Sequence, residues 1–95
     1  MGNEKGRIAQ TRGMGYRKVC VEVAAKFPRE GGLIPLSLVW EDGRKFEVEK
    51  TKSVERASAH VGAILPLCFT CVIGGSEKRL YFEPSLNRWF VEKQI

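Results

Sequence analysis

The segment from residue 35 to residue 49 constrains the fold most, because it has the pattern of a β-hairpin whose register follows from the residues alone. Apolar and polar residues alternate on both sides of Asp42 and Gly43, as half-buried strands require. A two-residue loop would place glutamates opposite buried apolar residues. This register is disfavoured in a sheet that buries only one face, because the glutamates would then point into the core. A three-residue loop over residues 41–43, with Gly43 as a left-handed bulge, avoids this conflict. It predicts three pairs: Leu38 with Phe46, Leu36 with Val48, and Trp40 with Arg44.

The rest of the chain shows the alternation of further strands and predicts an all-β fold. These strands are predicted at residues 16–27, 67–74, 79–83 and 88–93, and the second strand of the hairpin can continue, bent, toward Val54. For residues 50–66, a short helical turn capped by Ser53 and an irregular connection both stay open. We predict a six-stranded antiparallel meander closed into a small SH3-like barrel or roll, because closure removes two exposed edges.

Residues 1–15 are predicted to form a disordered basic arm on a single small β-barrel domain of residues 16–95. The arm contains four glycines and no periodic apolar face. Of the formal net charge of +5, residues 1–18 carry +4, so the barrel itself is nearly neutral. The arm can add sequence-independent attraction to phosphate. It can equally be a solvated tail, or an upstream extension of a chain that natively begins at Met14.

The composition predicts a cytoplasmic protein without membrane association. No stretch approaches the roughly 20 apolar residues that span a bilayer, and the charged N-terminus does not have the pattern of a secretory signal. Three cysteines are an odd number, poorly suited to a disulfide framework, so we expect free thiols.

Alternation also predicts which residues of the last three strands share a face. A turn at Ser76 and Glu77 gives inner pairs of Ile73 with Leu80, Cys71 with Phe82, Phe82 with Trp89, and Leu80 with Val91. The opposite face then holds Arg79 across from Glu92, Tyr81 across from Phe90, and Glu83 across from Arg88, with Val72 beside Tyr81. Cross-strand ion pairs are typical of a wet surface, so this second face is predicted to be exposed.

The residues that could carry chemistry do not assemble into a catalytic or metal site. Cys68 and Cys71 have the spacing of a redox or half-zinc motif, but on a strand residues three apart point to opposite faces. His60 has no cysteine or carboxylate at ligand spacing, and no nucleophile elbow or phosphate-binding loop occurs. We therefore expect no metal, no cofactor and no enzymatic activity, an enzyme using the loop at residues 57–66 being the weakest alternative.

The exposed pair Tyr81 and Phe90 is the predicted binding surface, together with Arg79, Arg88 and Val72. Aromatic rings on a sheet with arginines beside them can stack on ligands. The same pair can also stabilise the sheet without binding anything, since both arginines have glutamate partners. We predict a non-enzymatic module that binds a protein or peptide, monomeric or weakly dimeric. The alternative is a weak nucleic-acid-binding protein that uses the basic arm and the Tyr81/Phe90 face.

Five segments between residues 16 and 95 carry a resemblance to a known group of proteins. They are Pro35–Ser37, Trp40–Phe46, Val54–Ser58, Phe69–Cys71 and Arg88–Glu92. On these segments the chain resembles a family of small, uncharacterised bacterial all-β proteins. The resemblance supports the domain boundary at residue 16, and it implies no activity and no site residue.

Overall fold

The computed structural model describes residues 15–56 and 66–95, and within these ranges the chain is all-β without a helix. Each strand pairs antiparallel with the next, and β6 pairs with β1, so that the sheet closes into a barrel. This confirms the predicted six-stranded antiparallel meander closed into a small barrel. The strands are β1 (Tyr16–Lys26), β2 (Ile34–Val39), β3 (Lys45–Arg56), β4 (Leu67–Ile73), β5 (Ser76–Glu83) and β6 (Arg88–Gln94).

The β2–β3 hairpin has the predicted three-residue loop. Leu38 pairs with Phe46, the Trp40 amide donates to the Arg44 carbonyl at 2.8 Å, and Gly43 has a φ of 90°. Asp42 accepts hydrogen bonds from the Arg44 amide at 3.0 Å and from its guanidinium at 2.7 Å. These bonds, the amide bond first, hold the pKa of the Asp42 carboxyl below its usual value. Asp42 and Gly43 therefore shape the turn.

Leu36 departs from the prediction that it lies in the core opposite Val48. Its exposure is 42%, and its neighbours Ser37 and Pro35 pair with Ala24 and Ala25, which leaves Leu36 without a partner residue on β1. A residue in such a bulge leaves the regular alternation of faces. Alternation within β2 alone could not reveal the bulge, because it arises from pairing with β1.

Strand β3 continues through Arg56 and is bent, as predicted. Its register against β4 shifts twice, between Val48 and Lys50 and between Thr51 and Ser53. The alternative of a helical turn starting at Ser53 is wrong up to Arg56, because these residues form strand pairs. The prediction for the rest of that connection, with His60, lies outside the described residues, as does the prediction for residues 1–14 of the arm.

The turn between β4 and β5 lies at Gly74 and Gly75, which corrects the prediction of a turn at Ser76 and Glu77. Both glycines have positive φ, 61° and 78°, as the tight two-residue hairpin turn requires. The observed pairs are therefore Ile73 with Ser76, Phe69 with Leu80, and Leu67 with Phe82. The register differs from the prediction by four residues, an even number, so every side chain keeps its predicted face.

The core fills the inside of the barrel. Its buried residues pack around Trp89, whose ring centroid lies 5.2 Å from that of Phe69 and 4.8 Å from that of Phe82. The buried cluster consists of Leu38, Phe69, Cys71, Ile73, Leu80, Phe82 and Trp89.

Replacing Gly75 by valine should lower the free energy of unfolding by about 1–2 kcal/mol, the cost of a side chain in a left-handed conformation. An added Cβ meets nothing within 4 Å, so the cost is conformational and does not come from a clash. Urea denaturation measures the loss, and Gly75→Asn is the control, because asparagine tolerates positive φ and should lose less. Equal losses in both variants would contradict this explanation.

Candidate functional site

Tyr81 and Phe90 pair as predicted, but the prediction that they are exposed is wrong. Their rings stack at 5.0 Å between centroids and 11° between planes. The exposed fraction is 2% for Tyr81 and 0% for Phe90. The ammonium of Lys18 lies 4.6 Å from the centre of the Phe90 ring, a cation–π contact. The pair therefore belongs to a second buried layer on the outer side of the sheet.

A buried carboxylate, Glu83, holds Lys18 in this position. The Lys18 ammonium lies 2.9 Å from Glu83 Oε1 and donates a hydrogen bond to Oε2 at 3.1 Å. Arg88 Nε lies 3.5 Å from Oε1, so the predicted Glu83–Arg88 pair is present. The Glu83 side chain is only 8% exposed, which differs from the wet surface predicted for this pair. Lys18 was not among the predicted site residues, because it is 65 positions from Glu83 in the chain.

The hydroxyl of Tyr81 interacts with both Arg79 and Glu92. Burial raises its pKa to about 12, the Glu92 carboxylate acts in the same direction, and a hydrogen bond with Arg79 opposes the shift. The predicted pairing of Arg79 with Glu92 therefore takes a different form, since both side chains meet at Tyr81. Val72 does not lie beside Tyr81 as predicted, because the shifted turn pairs it with Glu77 and brings Cys68 opposite Tyr81.

The ladder between β5 and β6 ends after three pairs. It joins Glu83 to Arg88, Phe82 to Trp89 and Tyr81 to Phe90, and it does not extend to the predicted pair of Leu80 with Val91. Continuing the register would place Lys78 opposite Lys93 on the inner face of the barrel. Like charges directly opposite each other destabilise a sheet, and two ammonium groups resist burial. The last pair is Tyr81 with Phe90, so the strands separate three positions before the two lysines would face each other.

A cavity of about 730 Å³ occupies this opening, and we call it the slot. Its inner wall is formed by aliphatic and aromatic residues of the barrel interior, and its mouth carries cationic side chains and the partly exposed indole of Trp40. The volume is within the usual range for ligand pockets, about 300–1,000 Å³. The interior residues are Leu38, Phe46, Ile73, Leu80 and Val91, the cations at the mouth are Arg44, Lys78, Arg79 and Lys93, and Glu92 adds one carboxylate.

The cations at the mouth differ in how they are neutralised. Lys93 lies 3.6 Å from Glu41 and 5.9 Å from the centre of the Trp40 ring, and Arg17 shares the same carboxylate at 3.3 Å. Lys78 has no carboxylate within ion-pair distance in the part of the chain that the structure describes. The mouth can therefore take up a negative charge.

Cys68 and Cys71 lie on opposite faces of β4, as predicted. Cys71 belongs to the core cluster, whereas Cys68 lies on the outer layer opposite Tyr81. Burial raises the pKa of both thiols, so neither is activated as a thiolate. Within residues 15–56 and 66–95, no group of three histidine, cysteine or acidic residues could hold a metal ion.

The raised pKa of Tyr81 predicts a loss of stability at alkaline pH. Because the folded protein favours the neutral phenol, this stabilisation is complete below pH 10 and is lost as the pH rises toward 12. We expect the free energy of unfolding of the wild type to fall by about 2 kcal/mol more than that of Tyr81→Phe over this interval. Urea denaturation at several pH values tests the difference, and the ultraviolet absorbance of tyrosinate follows the ionisation. Parallel pH profiles would contradict the prediction.

Searches of known protein families, of curated proteins and of solved structures find no match to this chain. The resemblance drawn from the sequence therefore stays a prediction. Among the described residues, no helix is long and apolar enough to cross a membrane.

Proposed function

We propose that this protein is a non-enzymatic binding module that takes an extended segment of a partner protein into the slot between β5 and β6. The observation that carries the proposal is the early end of the β5–β6 ladder. From Ser76 to Leu80, β5 pairs with β4 on one side and has no strand pair with β6 on the other. An open strand edge can accept a further strand through main-chain hydrogen bonds.

The tight turn indicates which backbone groups of β5 point toward the slot. In a two-residue hairpin the residues next to the turn, Ile73 and Ser76, exchange hydrogen bonds, and bonding alternates from there. Lys78 and Leu80 therefore bond toward β4, while the amide and carbonyl of Glu77 and Arg79 point the other way. These groups are the proposed docking edge for the backbone of the partner segment.

The slot also provides an apolar site and a cationic site for the side chains of an extended segment. Alternate side chains of a strand point to the same face, so some would enter the barrel interior beside Leu80 and Val91. The aliphatic walls suit apolar side chains, and the cationic mouth suits negative charge. The proposal includes a cytoplasmic location, which the free cysteines Cys20, Cys68 and Cys71 support.

The nucleic-acid alternative has less support than it had from the sequence. Base stacking needs accessible rings, and both Tyr81 and Phe90 are buried. The basic arm lies outside the described residues. Binding of single-stranded oligonucleotides that weakens steeply with salt and is lost on removal of residues 1–14 would favour this alternative over peptide binding.

Two variants of one residue test the docking edge directly. Random peptides of about ten residues, the length of a long strand, are selected by phage display against the full chain. Arg79→Pro removes the backbone donor that faces the slot, and proline is tolerated at such edge positions. Arg79→Ala removes the same side chain and keeps the donor, which makes it the matched control.

We expect Arg79→Pro to bind selected peptides about tenfold more weakly than Arg79→Ala, the loss of one main-chain hydrogen bond. Isothermal titration calorimetry gives the affinities, and circular dichroism checks that both variants keep the barrel. Equal affinities for the two variants, or a failure to select any peptide, would overturn the proposed function.

A further inference from the structure

We infer that the segment bound in the slot carries an apolar residue and an acidic residue two positions apart, with the acidic side chain held between Lys78 and Lys93. This inference rests on the proposed function, because it assumes that an extended segment enters the slot. It names the chemistry by which the slot would distinguish one partner segment from another.

The residues that line the slot are spaced like the side chains of an extended peptide. Leu80 is fully buried and Val91 packs against the core, so both face the barrel interior. Two positions closer to the mouth, and therefore on the same face of each strand, lie Lys78 on β5 and Lys93 on β6. Along each strand, therefore, an aliphatic site and a cationic site are two residues apart, about 7 Å. An extended peptide repeats its side chains at the same distance, so residues i and i+2 match the two sites in either direction of the chain.

The charges at the mouth of the slot favour an acidic side chain. Lys78 has no carboxylate within ion-pair distance among the described residues, and Lys93 shares Glu41 with Arg17. Two ammonium groups on facing strands repel each other, and a carboxylate between them replaces this repulsion with two attractive contacts. The alkyl stems of the lysines can line the path of the segment while their charged ends stay hydrated.

The inner end of the slot favours an apolar side chain. The partly exposed side chains of Phe46 and Val91 provide accessible apolar surface in the slot, and the buried residues Leu38 and Ile73 close it on the inside. A charged side chain at this depth would lose its hydration without a partner, whereas an aliphatic or aromatic one gains contact area. The residue between the two anchors would face outward, near Arg79 and Glu92. Charges of both signs lie there, so this middle position should show little preference.

A change of specificity tests the inference more sharply than a loss of binding. The same peptide library is selected against the wild type, against the double variant Lys78→Glu/Lys93→Glu, and against Lys26→Glu. Lys26 is an exposed lysine at the far end of β1 and does not line the slot, so its variant controls for a lysine-to-glutamate charge reversal away from the slot. We expect apolar and acidic residues two positions apart to be enriched by the wild type and by Lys26→Glu. The double variant should instead enrich lysine or arginine at the acidic position.

A selected peptide gives the quantitative form of the test. Exchanging its acidic residue for lysine should weaken binding to the wild type by about tenfold to a hundredfold and should restore binding to the double variant. The inference is overturned if peptides whose binding is weakened by Arg79→Pro show no acidic residue at this spacing, or if the double variant keeps the preference of the wild type. In either case the proposed function stands. Peptides insensitive to Arg79→Pro would instead overturn the proposed function itself, so the two failures are distinguishable.

Discussion

Phe90→Ala is expected to lower the free energy of unfolding by about 3–5 kcal/mol, the usual loss for a phenylalanine removed from a core. The ring is 0% exposed although it lies on the outer side of the sheet. Alanine would remove its stacking on Tyr81 and leave the Lys18 ammonium without the ring that it covers. We therefore expect Phe90 in the outer layer to contribute as much to stability as a phenylalanine in the interior of the barrel.

An exposed phenylalanine provides the control for this loss. Phe27 follows β1 and is 76% exposed, so Phe27→Ala should change stability by less than about 0.5 kcal/mol. Urea denaturation of the two variants under identical conditions gives both values. A loss for Phe90→Ala as small as that for Phe27→Ala would show that the ring lies on an open surface, as alternation alone had predicted.

The inner face of the barrel could be predicted because it depends on local rules. Turn chemistry at Asp42 and Gly43 is sufficient to pair Leu38 with Phe46, and the structure has this pair. The predicted β4–β5 turn was two residues too late and the register therefore four residues off, yet Leu80 and Phe82 still lie inside. Side chains alternate with a period of two, so an even error in register leaves every residue on its predicted face.

The buried outer layer could not be derived from alternation, because its cover comes from distant parts of the chain. Lys18 and Glu83 meet only after β1 has closed the barrel against β6. One signal was present in the sequence. In the predicted register Val72, Tyr81 and Phe90 form an apolar row on the face predicted to be exposed, and in the structure Cys68 takes the place of Val72. Three apolar neighbours in adjacent strands indicate a second covered face, even when charged pairs flank them.

The slot was missed for a related reason. The sequence prediction extends the pairing from Glu83 and Arg88 to Arg79 and Glu92, although one further step in this register brings Lys78 opposite Lys93. The cost of that pair disfavours a ladder along all of β5, and in the structure the ladder ends at Tyr81 and Phe90. Site prediction from strands therefore benefits from following a register until it fails, since the failure marks an open edge.

Glu83→Gln is expected to destabilise the protein by about 3 kcal/mol, the lower part of the range for breaking a buried ion pair. Glutamine keeps the volume of the side chain but removes the charge that Lys18 and Arg88 share. The Lys18 side chain is 25% exposed, so water can partly compensate for the lost carboxylate. The Lys18→Met variant removes the other member of the pair while keeping an apolar stem over Phe90.

The double variant Lys18→Met/Glu83→Gln makes it possible to measure the interaction energy between the two side chains apart from their other contacts. If the ion pair is the cause, the double variant should be more stable than the sum of the two single losses predicts, by about 1–3 kcal/mol. The exposed pair Lys52–Glu77 is the matched control, because its charged atoms are also 2.9 Å apart while its side chains are 48% and 58% exposed. Water screens the charges of that pair, so a double-mutant cycle of Lys52 and Glu77 should give a much smaller coupling energy. Equal coupling in both cycles would mean that burial adds nothing to the Lys18–Glu83 interaction, and that the outer layer is held by packing alone.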